Sequence, residues 1–271
     1  MPPLPLANLL HHKVRTALTV LGVAVAVCML VTLSGLGEGT LEEVADRWEA
    51  VDADLIVFPL RWGDNITTIS GGGLGTGDLE AMRSLRAGDG RPAAEHVAPV
   101  FLYRFEIAGQ EHNVVGADPS DLPALLGGGG ILPGGRPYDP HGEFARWLED
   151  RLTAPSEGVI DISAERLAAR GGLEIVIDTR LARQAGKGVG DTVRLAGHDF
   201  RIVGIAPAGA LARAFIPRAT AEYLINGRLG RFTLMFVKLR EGLATGPVVR
   251  RIREASAAFS MGTRCVTSRE G

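Results

Sequence analysis

The 271-residue sequence predicts an α+β protein in which a single N-terminal transmembrane helix leads into a domain of β-α-β units drawn from distant segments. Three observations carry that prediction. No charged side chain occurs between Thr16 and Gly37. A strand-helix-strand order occupies residues 53–109, and the same order returns between residues 231 and 268. The chain between these two blocks is rich in short apolar segments separated by glycine-marked turns.

The uncharged run TALTVLGVAVAVCMLVTLSGLG would extend roughly 33 Å as a helix at about 1.5 Å per residue, enough for a hydrocarbon core of about 30 Å. A buried helix of a soluble domain is usually shorter and keeps a polar face, which this run lacks. Lys13 and Arg15, with His11 and His12, precede it, whereas Glu38, Glu42, Glu43 and Asp46 follow it against Arg47 alone. Cytoplasmic flanks hold the excess of Lys and Arg, so the N-terminus is expected inside and the remainder outside. A cleaved secretory leader has an apolar region of about 7–15 residues ending in a small-residue site, and SGLGEG offers no clean one. Val27 stands before Cys28, where a lipoprotein leader wants a small residue. A retained anchor is therefore expected. Gly22 and Ala26 form a small-xxx-small pair that would let a second helix approach, a weak signal in any membrane helix.

Beyond the span, Leu41, Val44, Ala45, Trp48 and Val51 fall at helical spacing among Glu42, Glu43, Asp46 and Glu49. This predicts a stalk with one apolar stripe. Spacing alone does not separate a helix docked on its own domain from a lever that passes motion between membrane and domain.

In the outer domain ADLIVFP reads as a buried strand, ISGGGLGTG as a flexible loop, and GDLEAMRSLRA as a short helix with Leu79, Met82 and Leu85 on one face. HVAPVFLYRFEIAG, from His96 to Gly109, reads as a long strand. QEHNVVGAD and LEIVID follow as strands, and VIDTRLARQAG turns into a short helix. GDTVRLAGHDFRIVGIAP reads as a hairpin turning at Gly197, and FIPRATAEYLI as a short strand with a helical turn. LLGGGGILPGGRPYDP is loop by composition, and HGEFARWLEDRL reads as a surface helix. Near the C-terminus RFTLMFVKL and TRCVTS read as strands around the helix TGPVVRRIREASAAF.

Composition closes off several function classes. With 46% hydrophobic residues the chain can bury a substantial core, and the Gly and Pro contents of 36 and 15 residues stay below the level of a disordered polymer. The net charge of -2 gives no sign of a nucleic-acid binder. Two cysteines make neither a disulfide framework nor a four-cysteine zinc site. No Walker A sequence occurs, because Gly186-Lys187-Gly188 lacks the hydroxyl residue that would hold magnesium. ISGGGLGTG supplies no register with all three glycines of a dinucleotide fingerprint. The six histidines are scattered, and no G-x-S-x-G elbow exists. Asp161 and Asp178 have no spacing that marks them as paired carboxylates. The sequence thus nominates no catalytic, cofactor-binding or metal-ligating residue, expects no cofactor, and leaves substrate contacts unknown.

The opening NLLHHKVRTALTVLGVAVAVCMLVTLSGLGEGT resembles the first membrane helix of ABC-transporter permeases of the MacB/FtsX/LolC type, through Asn8, Leu9, Lys13, Arg15, Thr16, Gly35 and Gly37. KGVGDTVRLAGHDFRIVGI resembles the family's hairpin through Gly190, Asp191, Val193, Gly197, Phe200, Val203 and Gly204, and FIPRATAEYL resembles the segment after it. TSRE is similar to the bridge into a second membrane helix. The resemblance covers essentially the whole chain in order. It implies an extracytoplasmic core with a porter-like β-α-β pair from distant segments and a β-rich subdomain inserted between them. The expected organisation is a cytoplasmic N-terminus over 1–15, the span over 16–37, the stalk over 38–51, porter-like halves over 52–109 and 230–271, and the insert over 110–229.

The same resemblance implies a non-enzymatic permease component in the inner (cytoplasmic) membrane, with its core domain outside. Its implied partners are a cytoplasmic ABC ATPase subunit, a second permease copy or the remainder of the permease, a periplasmic partner protein, and membrane lipid, with no nucleic acid. The family normally has three further spans after the outer domain, so a sequence ending at Gly271 is expected to be a truncated piece, a gene fragment or a split permease. The alternative class is a membrane-anchored extracytoplasmic binding or scaffold protein uncoupled from ATP hydrolysis.

Overall fold

The computed structural model describes residues 13–49, 51–59, 71–127, 129–139, 173–208, 211–226, 229–254 and 263–267. Helix α1 (Lys13–Glu49) is unbroken through the apolar run and past it. Its segment Ala17–Gly35 is long and apolar enough to cross a membrane, and none of it is buried in the protein. That exposure separates it from a core helix, which would have its leucines and valines covered. The two hydroxyls inside the run are satisfied within the helix: Thr19 donates to the Arg15 carbonyl at 2.9 Å and Thr32 to the Cys28 carbonyl at 2.7 Å. In hydrocarbon, where no water competes, such internal partners are the available ones. The stalk stripe from Leu41 to Trp48 lies outside the residues whose side chains are described. Val51, expected on that stripe, is not helical; α1 ends at Glu49 and Val51 is buried in the core of the outer unit.

The strands of the outer unit are β1 (Leu55–Pro59), β2 (Leu74–Gly75), β3 (Ala94–Ile107), β4 (Gln110–Ala117), β5 (Leu173–Asp178), β6 (Thr192–Leu195), β7 (His198–Ala206), β8 (Ala214–Pro217), β9 (Arg231–Phe232), β10 (Leu234–Leu239) and β11 (Thr263–Thr267). The helices are α2 (Thr76–Ser84), α3 (Leu122–Leu125), α4 (Thr179–Ala185), α5 (Arg218–Asn226) and α6 (Thr245–Glu254). Nine strands form one sheet in the order β11-β1-β10-β3-β4-β8-β5-β7-β6, and β2 pairs with β9.

The first four strands of that order explain the repeated strand-helix-strand pattern. β1 is antiparallel to both β10 and β11, and β10 is antiparallel to β3. Each β-α-β unit is therefore split, with one strand of the other unit between its own two. The pattern β1-α2-β3 and β10-α6-β11 is the interleaved ferredoxin-like arrangement. LIVFP is apolar throughout because β1 is covered on both faces: Ile56 and Phe58 point into one core, Leu55 and Val57 into another. The second core also takes Met82 of α2 and Val248 and Ile252 of α6, with Leu79 and Leu85 packed on its edge.

In the segment between β3 and β10, β8 pairs parallel with β4 and antiparallel with β5, and β7 pairs parallel with β5. Val193 and Leu195 of β6 share a core with Phe105 and Ile107 of β3, so this part of the sheet curls back on itself. Two hairpins tighten the curl, at Ala108-Gly109 and Ala196-Gly197, and all four residues have positive φ. That is the twist a two-residue antiparallel turn requires.

Two readings change in the structure. The glycine-rich loop is partly regular: Leu74 is buried in a short strand against Phe232, and α2 starts at Thr76. The loop LLGGGGILPGGRPYDP begins inside α3, and its described residues take over from β6 as neighbour of β7. Leu132 N–H donates to Ile205 O and Arg136 N–H to Val203 O, both at 2.8 Å. That approach leaves no room for side chains, since a Cβ on Gly204 would meet the Arg136 carbonyl oxygen at 2.6 Å. The surface helix expected in HGEFARWLEDRL lies outside the described residues.

Candidate functional site

The long strand β3 belongs to both parts of the sheet. It pairs with β10 as far as Val100 and with β4 from Phe101 onward. Its odd-numbered face changes company at the same place: Val97 sits with the α2–α6 core, Phe101 and Phe105 with the curled core. Pro99, which has no N–H, is tolerated because among the described strands this half of β3 has β10 as its only neighbour. The handover is pinned by Thr233, the buried residue between β9 and β10. Its Oγ1 accepts from Leu102 N–H at 2.7 Å and donates to the Gly71 carbonyl at 2.7 Å, while its own N–H donates to Val100 O at 2.8 Å.

The chain returns from the intervening segment through α5 and residues 229–231, and here charges hold the joint. Glu222 of α5 is fully buried. Its carboxylate accepts from Gly230 N–H at 2.6 Å and Arg231 N–H at 3.4 Å, and from the Arg218 guanidinium at 2.5 Å. Arg218 also reaches both carboxylate oxygens of Asp118, beyond the end of β4, at 3.2 Å. Burial pushes the Glu222 carboxyl up from its ordinary value, against the pull of Arg218 and the two backbone donors. Nearby, Asp121 at the start of α3 meets His96 of β3 at 2.7 Å, and burial raises its carboxyl too. Tyr138 closes the group by donating to the Ala117 carbonyl at 2.8 Å. Helix α5 lies so close to β4 that a Cβ on Gly116 would fall 2.4 Å from the Ala221 Cβ.

Two chain crossings therefore join the parts of the sheet, one held by Thr233 and the other by the Arg218–Glu222–Asp118 cluster. Moving one part against the other means breaking the bonds that cross between them, Leu102 N–H to Thr233 Oγ1 and the Gly230 and Arg231 amides to Glu222. Among the described residues, no group of histidine, cysteine and carboxylates is arranged to hold a metal ion.

Residues 16–255 match the sequence model of the MacB-like periplasmic core domain. The chain belongs to that family. The MacB-like family is a transporter-permease component, and its match begins in the apolar helix and runs through the outer unit. The macrolide export ATP-binding/permease protein MacB of Haemophilus ducreyi is 31% identical over 96 residues, which is 35% of this chain. That alignment spans 13% of the relative's own length. In fold, the outer unit is similar to the periplasmic region of MacB from Actinobacillus actinomycetemcomitans, at TM-score 0.51 and 15% identity over 81% of this chain and 91% of that one. The extracellular domain of the noncanonic ABC-type transporter YknZ from Gram-positive bacteria aligns at TM-score 0.48 and 10% identity over 79% of this chain and 98% of that one. The MacB-like core domain and the apolar helix together make a membrane-anchored chain with an extracytoplasmic type of domain.

The joint residues were not singled out in the sequence. Arg218 and Glu222 carry one available signal, the i,i+4 spacing in RATAE on a predicted helical turn. Asp118 and Thr233 carry none, because their partners are far away in the chain. Asp178 is not half of a carboxylate pair; it caps α4, accepting from Leu181 N–H at 2.6 Å, and meets Arg213 at 2.7 Å. Asp161 lies outside the described residues.

Proposed function

We propose that this chain is the N-terminal part of an export or lipoprotein-release permease, anchored in the cytoplasmic membrane with its N-terminus inside and moved by a separate cytoplasmic ATPase. The observation that carries the reading is the single family match from Thr16 to residue 255, which unites the apolar helix and the outer unit. The name of the Haemophilus relative, a macrolide export protein, favours export over release. The continuity of α1 to Glu49, past the end of the apolar run, supports the stalk over 38–49 as a lever. The interleaved strand order supports porter-like halves over 52–109 and 230–271 around an insert over 110–229, with the Gly230 and Arg231 amides on Glu222 as the hinge contact between them. Binding of cargo or of a periplasmic partner protein falls to the outer domain, and a second permease copy completes the pathway. The test is a flexible glycine-serine insertion beside Trp48 in the assembled transporter. Loss of the coupling between cargo and ATP hydrolysis is expected; unchanged coupling defeats the lever.

A further inference from the structure

We propose that the cavity at the end of the β3–β4 hairpin binds a small ligand through an oxyanion, a carboxylate or phosphate group, gripped by arginines from three separate elements. The site goes beyond the permease reading and does not depend on it.

Its geometry follows from strand lengths. β8 first pairs with β4 at Val114, so among the described residues Gln110 to Asn113 have no strand neighbour on that side. Arg213, just before β8, closes part of the gap by donating its N–H to Asn113 O at 3.3 Å. A cavity of about 460 Å³ remains, within the size range of small-molecule sites. Such sites are mostly apolar, and this one is not. Arg104 of β3, Arg180 of α4 and Arg213 line it against one carboxylate, Glu111.

The charges in the wall are unevenly matched. Arg213 is engaged by Asp178, which is itself buried as the cap of α4. Arg104 bonds only a neutral group, its Nε donating to Asn113 Oδ1 at 3.3 Å, and makes no ion pair among the described residues. The planar fork of such a guanidinium matches carboxylate and phosphate oxygens. His112 adds an independent sign. It lines the same cavity, and its Nε2 is buried without a partner among the described residues. A buried ring nitrogen of this kind is normally satisfied. Burial, then Arg213, hold the imidazole below its ordinary value, and Asp178 opposes them. The charged groups around it are Arg213 before β8, Asp178 at the end of β5, Arg104 of β3, Arg180 of α4 and Glu111 of its own strand. An anion in the cavity would offset the arginines and raise the imidazole, so by linkage binding tightens as the pH falls through that raised value.

The experiment is calorimetric titration of the full chain in detergent micelles or nanodiscs with inorganic phosphate, N-acetylglycylglycine and its C-terminal amide. Saturable binding of phosphate or of the free acid, with none of the amide, is expected; which of the two binds names the group. Arg104→Gln, an exposed position, should weaken binding about tenfold or more, the worth of one charge-assisted hydrogen bond. Asp178→Asn keeps a capping side chain while releasing Arg213, and should tighten binding. Saturating anion should move the His112 ring titration upward by NMR. The proposal is overturned if no probe saturates, if amide and acid bind alike, or if Arg104→Gln leaves binding unchanged. Should Asp178→Asn fail to fold, Arg104→Gln and the His112 titration decide.

Discussion

Replacing Arg218 by methionine keeps an unbranched stem and removes the charge that faces Glu222. The buried carboxylate would retain its bonds from Gly230 and Arg231 but lose its counter-ion. Breaking a buried pair by one partner is strongly destabilising. Here the penalty has a ceiling, because Glu222 can take up a proton instead of staying charged. From an ordinary value of 4.5, that proton costs about 3.4 kcal/mol at pH 7 and about 0.8 kcal/mol at pH 5. The sign follows from linkage: the folded-state value of Glu222 is raised, so its stabilising contribution is complete below about pH 4.5 and is lost as the pH rises through the folded value. The lost contact with Asp118, which is 39% exposed, adds roughly 0–1 kcal/mol. Thermal unfolding of the full chain in detergent, followed by circular dichroism, should show Arg218→Met lowering the midpoint by no more than about 7–18 °C at pH 7, at roughly 2–4 °C per kcal/mol. The loss should shrink to a few degrees at pH 5. An equal loss at both pH values would refute the reasoning, since it would assign the cost to packing rather than charge.

Two further substitutions probe packing and backbone. Gly116→Ala puts a methyl 2.4 Å from the Ala221 Cβ, 3.2 Å from the Phe101 Cβ and 3.3 Å from the Arg218 Cα. It should cost about 1–3 kcal/mol or more by forcing α5 off the sheet. Gly22→Ala, with nothing within 4 Å, should leave the same midpoint in place, and a harmless Gly116→Ala would overturn the close approach. Ala196→Asn supplies a residue that accepts the φ of 50° found there and should stabilise the β6–β7 hairpin by about 0.5–1 kcal/mol in denaturant titration. A lowered midpoint would contradict the turn geometry.

Much of the local structure was legible because side-chain periodicity reports which faces are covered. β5, β6, β7 and β10 fall where alternation or continuous apolarity placed them, and Gly197 turns the hairpin. The apolar helix stood out through the absence of charge, and its uncovered surface matches that reading. The β2 strand was not legible: two residues are too few for a period, and Leu74 is held by pairing with Phe232, far along the chain. For the same reason the Arg218–Glu222 spacing could suggest a helical pair but could not reveal that Asp118 and the Gly230 amide complete it.

By itself, then, the sequence determined the membrane helix, the α+β class, the repeated strand-helix-strand order and the kinship with MacB-like core domains, because these depend on composition and on neighbours a few residues apart. Only the tertiary structure decided that the two β-α-β units interleave, that β3 changes partner between Val100 and Phe101, and that three arginines from separate elements border one cavity. Strand pairing and charge clustering bring together residues scores of positions apart, and a local pattern records which face a residue prefers without naming what it will meet there.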